Sequence, residues 1–381
     1  MLRHLKTIED VHPVHGVKPY NLDGVCFSPD GRWLGYYASY EQKSGGLDFT
    51  FSKCFNLYEG AVQTTYNLGL KLNAPAFQVF TSDSRHLAVA TCGVRLHLEV
   101  KPGNYHFPPS EFAGGAASFA LAISPDGRWN AHARGEGWQD GLIGNKFQQR
   151  SRGTVTTMLR LDEANDGRRR GLFNKAPKPV IVAQKGLGYE TLAFSADSRY
   201  LALGSRKPEI SIWDIEAQRM IHTIDLPDEK PGEIPLVAYS PDGEYFVYGR
   251  RQLRLRCLRT REEYRLDSPF GATRNINGVE FEVTPTIPPI FGCKTYAFQF
   301  TPNSRYLIGA SYHGVYFWNI AASSQTYREF GALDYSAGDG PTEIPGFESI
   351  AIAPNSEIIV TAGWSEINLW KFVPSPDTLP P

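Results

Sequence analysis

The chain has 381 residues, with 39 lysines and arginines against 40 aspartates and glutamates, so its formal net charge is -1. A neutral total gives no long-range field that would draw the protein to nucleic acid or to an anionic membrane. The five cysteines are widely spaced and form no Cys-x-x-Cys pair, which argues against a disulfide framework or a zinc site and is typical of buried thiols in a reducing compartment.

The N-terminal residues, MLRHLKTIEDVHPVHG, contain no apolar core of signal-peptide length. No run of about eighteen apolar residues occurs along the sequence. We therefore expect a soluble protein of the cytoplasm, the nucleus or both, without membrane association. The first predicted element is a short strand at residues 3–8, which has no neighbouring strand to pair with.

The next predicted element is a β-hairpin in GVCFSPDGRWLGYYAS, residues 24–39. Two apolar runs flank the turn Ser28-Pro29-Asp30-Gly31. Proline presets the backbone angle of a type I turn, serine can accept from a nearby amide, and glycine takes the left-handed position that follows. Such a turn joins two antiparallel strands.

Versions of this turn return down the chain at steps of 43 to 71 residues, and a period of this length is typical of a repeat protein. The apolar residues that precede the seven turns are Phe27, Phe80, Ile123, Phe194, Tyr239, Phe300 and Ile352. Four copies carry serine where glycine would be easiest, at a strain of about 1 kcal/mol each. We expect their surroundings to hold these turns. The four serines are Ser84, Ser198, Ser304 and Ser356.

Each turn is followed by a short β-rich run and then by further strands. Alternating apolar residues predict third strands at 55–59, 94–100, 210–215, 253–258, 315–320 and 367–372. Fourth strands are predicted at 64–70, 179–184, 220–226 and 325–330. Seven units of four short antiparallel strands predict an all-β fold, a seven-bladed β-propeller.

The Trp213-Asp214 pair in ISIWDIEAQRMIHTIDL, together with the repeated turn, resembles the WD-repeat family. Weaker matches to this pair occur at Trp318-Asn319 and Trp370-Lys371. The resemblance extends from about residue 20 to residue 372. No Gly-His dipeptide occurs, and the tight turns lack the family's aspartate. The chain is therefore a degenerate member, in which we expect apolar packing to hold the blades more than the family's polar network.

The predicted ring needs one more strand at its end. The last predicted strand is followed by VPSPDTLPP, whose prolines lack amide donors. The resemblance implies that the strand at residues 3–8 completes the last blade and closes the ring. We thus expect a single propeller at residues 1–372 and a proline-rich tail at 373–381.

Long insertions are predicted on one face of the propeller. If the Ser-Pro-Asp-Gly turns share one face, here called the turn face, the insertions lie on the other, here called the insertion face. Loops carry most binding functions, so we expect a partner protein on the insertion face. The long segments are 40–53, 138–153, 269–295 and 334–347, and the candidate anchors are Trp138, Phe147, Phe270 and Phe291. Alternatively, these aromatics only pin their own loops.

Two basic segments suggest other ligands. The run DGRRRG at 166–171 is similar to the paired arginines with which one group of propellers binds phosphoinositides, but glycine precedes them here. In GRRQLRLRCLRTREEYR, Arg254 and Arg256 alternate with leucines as a blade strand requires. We therefore expect neither lipid nor nucleic-acid binding.

Three acids occupy the same phase near the predicted axis: Asp23, Glu190 and Glu348. They could line the channel mouth and hold a calcium ion or a cationic substrate, or they could be solvated rim acids. No histidine cluster, G-x-S-x-G turn or phosphate-binding glycine loop supports catalysis. The sequence thus predicts a non-catalytic protein-interaction scaffold without a cofactor, either monomeric or a subunit of a complex. The alternative is a propeller with an axial metal or small-molecule site, which could act as a hydrolase.

Overall fold

The computed structural model describes residues 2–10, 18–40, 49–70, 77–91, 94–106, 118–135, 138–143, 146–151, 154–160, 180–184, 189–230, 233–269, 271–276, 278–282, 298–311, 314–320, 327–330, 349–363 and 366–372. The regular secondary structure in these ranges consists of β-strands. None of the residues described forms a helix long and apolar enough to cross a membrane.

The strands of the N-terminal half form three sheets. Strand β1 (Leu2–Glu9) comes first. Sheet 1 contains β2 (Asn21–Phe27), β3 (Trp33–Tyr40), β4 (Phe49–Asn56) and β5 (Ala61–Leu70). Sheet 2 contains β6 (Phe77–Phe80), β7 (His86–Thr91) and β8 (Val94–Glu99), and β9 (Gly103–His106) follows it. Sheet 3 begins with β10 (Ser118–Ile123) and β11 (Trp129–Gly135). After a ribbon of β12 (Trp138–Ile143) and β13 (Lys146–Ser151), it continues with β14 (Thr154–Arg160) and β15 (Val180–Gln184).

The C-terminal half contains four more sheets. Sheet 4 contains β16 (Tyr189–Phe194), β17 (Tyr200–Ser205), β18 (Glu209–Asp214) and β19 (Arg219–Asp225). Sheet 5 contains β20 (Leu236–Tyr239), β21 (Tyr245–Gly249), β22 (Leu253–Cys257) and β23 (Glu263–Leu266). A ribbon of β24 (Thr273–Ile276) and β25 (Val279–Glu282) follows. Sheet 6 contains β26 (Phe298–Phe300), β27 (Tyr306–Ser311), β28 (Gly314–Asn319) and β29 (Tyr327–Phe330). Sheet 7 contains β30 (Ser349–Ile352), β31 (Ile358–Gly363) and β32 (Glu366–Phe372).

The sheets are arranged around a common axis. The first strands of successive sheets contact one another in chain order, and β30 of sheet 7 contacts β2 of sheet 1. A cluster of buried apolar side chains fills each junction between neighbouring sheets. At the junction of sheets 7 and 1, Leu34, Val360 and Ile367 are completely buried. This arrangement is a β-propeller, so the all-β architecture is confirmed.

The N-terminal segment contacts both sheets at that junction. Strand β1 pairs antiparallel with β32, with Ile8 opposite Ile367, and is the outermost strand of sheet 7. Just after β1, the buried carboxylate of Asp10 accepts hydrogen bonds from Lys53 Nζ at 2.7 and 2.8 Å and from the Tyr40 hydroxyl at 2.6 Å. Both of these donors belong to sheet 1. Burial lowers the pKa of Lys53.

The repeated turn forms in all seven units. In each, the amide of the fourth residue donates to the carbonyl of the first. In the first unit, the Ser28 hydroxyl also donates to Asp30 Oδ1 and accepts from the Trp33 amide at 2.8 Å. The fourth residues all adopt left-handed φ angles of 57° to 74°; they are Gly31, Ser84, Gly127, Ser198, Gly243, Ser304 and Ser356.

The four strained serines are held by the preceding turn, as expected. Ser198 Oγ accepts a hydrogen bond from the Asp126 amide of the neighbouring unit at 3.0 Å. Ser84, Ser304 and Ser356 accept the equivalent bond at 3.0 to 3.3 Å. Each serine therefore links two adjacent units on the turn face, which a glycine at the same position could not do.

The expectation of seven four-stranded blades is wrong in its count. Among the described residues six sheets have four or more strands, whereas sheet 2 has three. Strand β9, which would complete sheet 2, instead pairs parallel with β5 of sheet 1. Two contacts favour this: the Tyr105 ring stacks on Tyr66 at 5.0 Å, and Thr64 Oγ1 donates to the Lys101 carbonyl at 2.8 Å.

Three of the predicted insertions contain regular strands. The third strand of sheet 1 is β4, which begins inside segment 40–53. It ends at Asn56, so it contains only the first two residues of the third strand predicted at 55–59. Segments 138–153 and 269–295 contain the ribbons β12–β13 and β24–β25. The third strand of sheet 3, which the pattern did not predict, is β14 beyond the first ribbon.

Candidate functional site

The structure describes none of the side chains of the four predicted anchors. Trp138 lies opposite Ser151 in the β12–β13 ribbon, and Phe147 lies opposite Leu142. The side chains of Trp138 and Phe147 are outside the described part, as are Phe270 and Phe291 altogether. Their role in binding stays a prediction.

Of the three acids predicted near the axis, Asp23 and Glu190 are buried rather than solvated. Asp23 in β2 accepts a hydrogen bond from the Gly24 amide at 2.6 Å, and Glu190 in β16 pairs with Arg206. Glu348 lies outside the described residues. No group of three or more His, Cys, Asp or Glu side chains that could hold a metal ion occurs in the part of the chain that the structure describes.

A polar clamp fixes the connection between sheets 4 and 5 on the insertion face. The buried carboxylate of Glu229 accepts from the backbone amides of Arg250 at 2.7 Å, Arg251 at 3.0 Å and Gln252 at 3.3 Å. Glu233 accepts from the Arg251 guanidinium at 2.7 and 2.8 Å, and this hydrogen bond lowers the pKa of Glu233. The clamp holds the connection against the β21–β22 turn.

The clamp also explains the basic segment that begins at residue 249. Arg254 is only 7% exposed and donates to Asp228 at 2.5 Å, so this arginine is used inside the molecule. Sequence reasoning missed the clamp, although its signal is present in PDEKPGE, where three acids lie within a short connection. The arginines that pair with Asp228 and Glu233 come from the next blade, and only the fold shows which ones.

A cleft of about 840 Å³ lies between sheets 4 and 5. It opens beside the turn face, since the turns at 195–198 and 240–243 contribute to its lining. Its apolar lining includes Ile212, Ile221, Ile224, Tyr239, Phe246 and Leu258. Sequence reasoning placed the binding surface on the opposite face and did not predict this cleft.

Among the residues that the structure describes, Asp214 of the Trp-Asp pair has no hydrogen bond or ion pair with a histidine. Its Oδ1 accepts from the Ala217 amide at 2.8 Å, and its Oδ2 lies 3.6 Å from the Arg199 guanidinium. Trp213 is buried in the apolar cluster between sheets 3 and 4. Apolar packing therefore holds this blade, as expected for a degenerate repeat.

The chain resembles known proteins in its fold, but its sequence similarity to them is low. No model of a known family matches the chain. Pre-mRNA-processing factor 17 of Saccharomyces cerevisiae is 33% identical over 60 residues, which cover 16% of this chain and 13% of that protein. The chain thus spans a small part of this curated relative.

Among solved structures, the β-propeller domain of Cps50 (Swd1) from Myceliophteria thermophila aligns with 98% of this chain and 100% of its own length. The TM-score is 0.57 and the sequence identity 13%, so this similarity shows the fold alone. The repeated turns, the ring of sheets and this similarity together identify the chain as a β-propeller.

Proposed function

We propose that this protein is a non-catalytic interaction scaffold, a single propeller at residues 1–372 that binds a partner protein through its insertion face. In this proposal the pairing of β1 with β32 closes the ring. Buried apolar clusters at every junction support such a ring.

The observation that carries the proposal is the construction of the insertion face. Two ribbons, β12–β13 and β24–β25, extend from the connections of the ring. On the same face, Glu229, Glu233 and Arg254 are engaged in the clamp, which fixes the connection between sheets 4 and 5. A fixed platform with long insertions is suited to recognising a partner surface.

The anchors of this interaction are proposed to be Trp138, Phe147, Phe270 and Phe291, because aromatic residues carry a large share of interface energy. The name of the yeast relative places that protein in pre-mRNA processing. We propose a location in the nucleus or the cytoplasm and a role as a complex subunit for this chain.

The test is affinity capture from cell extract followed by mass spectrometry. Changing Trp138 to alanine should reduce recovery of the partner. The matched control changes Arg168, Arg169 and Arg170, which the sequence predicts to lie in a loop on the turn face, to glutamine and should leave recovery unchanged. The reverse pattern would place the site on the turn face and contradict the proposal.

The axial alternative has its own measurement. A divalent cation that binds only the native state raises the melting temperature. We expect millimolar calcium to leave the melting temperature unchanged. A rise of several degrees that disappears in the Asp23→Asn variant would instead favour a metal site at the axis.

A further inference from the structure

We propose that the cleft between sheets 4 and 5 is a second binding surface, which takes a segment of a partner protein with an apolar side chain next to carboxylates. The surface goes beyond the proposed function, because it lies beside the turn face and shares no residue with the insertions. Its volume of about 840 Å³ is within the range that ligand-binding clefts occupy.

The cleft exposes apolar side chains, including one whose equivalent in the neighbouring sheet is buried. Leu258 follows the third strand of sheet 5 and is 40% exposed, whereas Ile215 at the equivalent position of sheet 4 is 6% exposed. On the opposite wall, Ile221 of β19 is 42% exposed. Both walls therefore present aliphatic surface, and covering it would gain hydrophobic free energy.

The charges of the cleft are separated along its length. Asp197 and Asp242 lie in the first turns of sheets 4 and 5, towards the axis, and their carboxylates accept from hydroxyls of their own turns. Arg256 on β22 and Arg261 in the β22–β23 turn lie towards the outside. The outer end of the cleft is therefore cationic.

The two arginines are available for a ligand. Neither Arg256 nor Arg261 has an ion-pair partner among the described residues. Glu263, which lies opposite Arg256 across the strands, is engaged by the Tyr248 hydroxyl and lies 3.8 Å from Arg254. Guanidinium groups beside an apolar wall match a carboxylate that follows an apolar anchor, which fixes the chemistry of the occupant.

The backbone at Arg261 gives the proposal a clean test. Its φ angle is 64°, in the left-handed region, and the equivalent residue of sheet 1 is Gly60 with a φ of 68°. An arginine at this place is conformationally unfavourable, so Arg261→Gly relieves strain while it removes the guanidinium. Gln218, with a φ of 49° in the equivalent turn of sheet 4, does not line the cleft and serves as the matched control.

The experiment selects binders from a displayed library of random heptapeptides on the full chain, and then measures the affinity of the enriched peptides by fluorescence polarisation. We expect enrichment of peptides with leucine or an aromatic residue beside aspartate or glutamate. Arg261→Gly should weaken them about tenfold while the melting temperature is unchanged or higher. Gln218→Gly should leave the affinity unchanged, and Leu258→Asp should abolish binding.

Three outcomes would overturn the proposal. The first is that the library yields no peptide whose binding is lost in the Leu258→Asp variant. The second is an enriched set that is basic, or that binds the Arg261→Gly variant as tightly as the parent. The third is self-association of the parent in sedimentation that Leu258→Asp abolishes, because a second copy of the chain would then be the occupant. Binding should persist in the Trp138→Ala variant, which separates this surface from the insertion face.

Discussion

The buried ion pair between Lys53 and Asp10 should be decisive for stability. The two side chains are 3% and 4% exposed, and the Tyr40 hydroxyl also contacts both. Lys53→Met leaves the carboxylate of Asp10 buried without its cation. Breaking a buried pair from one side typically destabilises by about 3–5 kcal/mol.

The loss of stability in Lys53→Met has an upper bound that depends on pH. A carboxylate without its partner can escape the penalty by taking up a proton, which for an ordinary aspartic acid at pH 7 requires about 4 kcal/mol. At pH 5 the same protonation requires only about 1.5 kcal/mol. The gap in stability between the parent and Lys53→Met should therefore narrow as the pH falls from 7 to 5.

Differential scanning calorimetry at both pH values measures this effect. For a chain of this size, 4 kcal/mol corresponds to a decrease in Tm of about 5 °C. The control is Lys53→Met combined with Asp10→Asn, which removes both charges and retains an acceptor for the Tyr40 hydroxyl. We expect this variant to regain most of the loss. The reasoning is refuted if the single variant loses less than 1 °C, if its loss is the same at both pH values, or if the double variant is no better.

Three further predictions concern other contacts. Hydrogen bonding from Arg251 lowers the pKa of Glu233, so the stability this carboxylate provides is present above its unfolded pKa and lost as the pH falls through the folded one. The free energy of unfolding in urea should thus be lower for Glu233→Gln than for the parent at pH 7. At pH 3 the two values should approach each other. Ser198→Ala should destabilise by about 1 kcal/mol because it loses the inter-turn hydrogen bond and keeps the strained φ, whereas Ser198→Gly should be nearly neutral; equal losses would contradict this account. Burial raises the pKa of the Cys54 thiol to about 12, while a hydrogen bond from the next turn lowers that of Cys257. Iodoacetamide followed by mass spectrometry should therefore label Cys257 before Cys54, and faster labelling of Cys54 would exclude this order.

The local elements of this protein could be predicted from its sequence because short-range chemistry dictates them. The turn Ser28-Pro29-Asp30-Gly31 and its copies form as their residues require, with the fourth residue in the left-handed region. The alternating segments 210–215 and 367–372 coincide with β18 and β32 to within a residue or two. Repetition of such units was sufficient to predict a propeller, since stacking around an axis buries their apolar faces.

Contacts between units were decided by the tertiary structure. Whether β9 completes sheet 2 or joins sheet 1 depends on Tyr105 meeting Tyr66, two residues far apart in sequence with no local signal that pairs them. The same holds for the clamp on Glu229, whose donors lie 21 to 23 residues further along the chain. Exposure of Leu258 is likewise a property of the neighbouring sheet, because an identical turn position is buried in sheet 4. The sequence by itself thus determined the repeated unit and its turns, whereas the cleft, the clamp and the buried Asp10–Lys53 pair arose only when folding brought distant side chains into a shared environment.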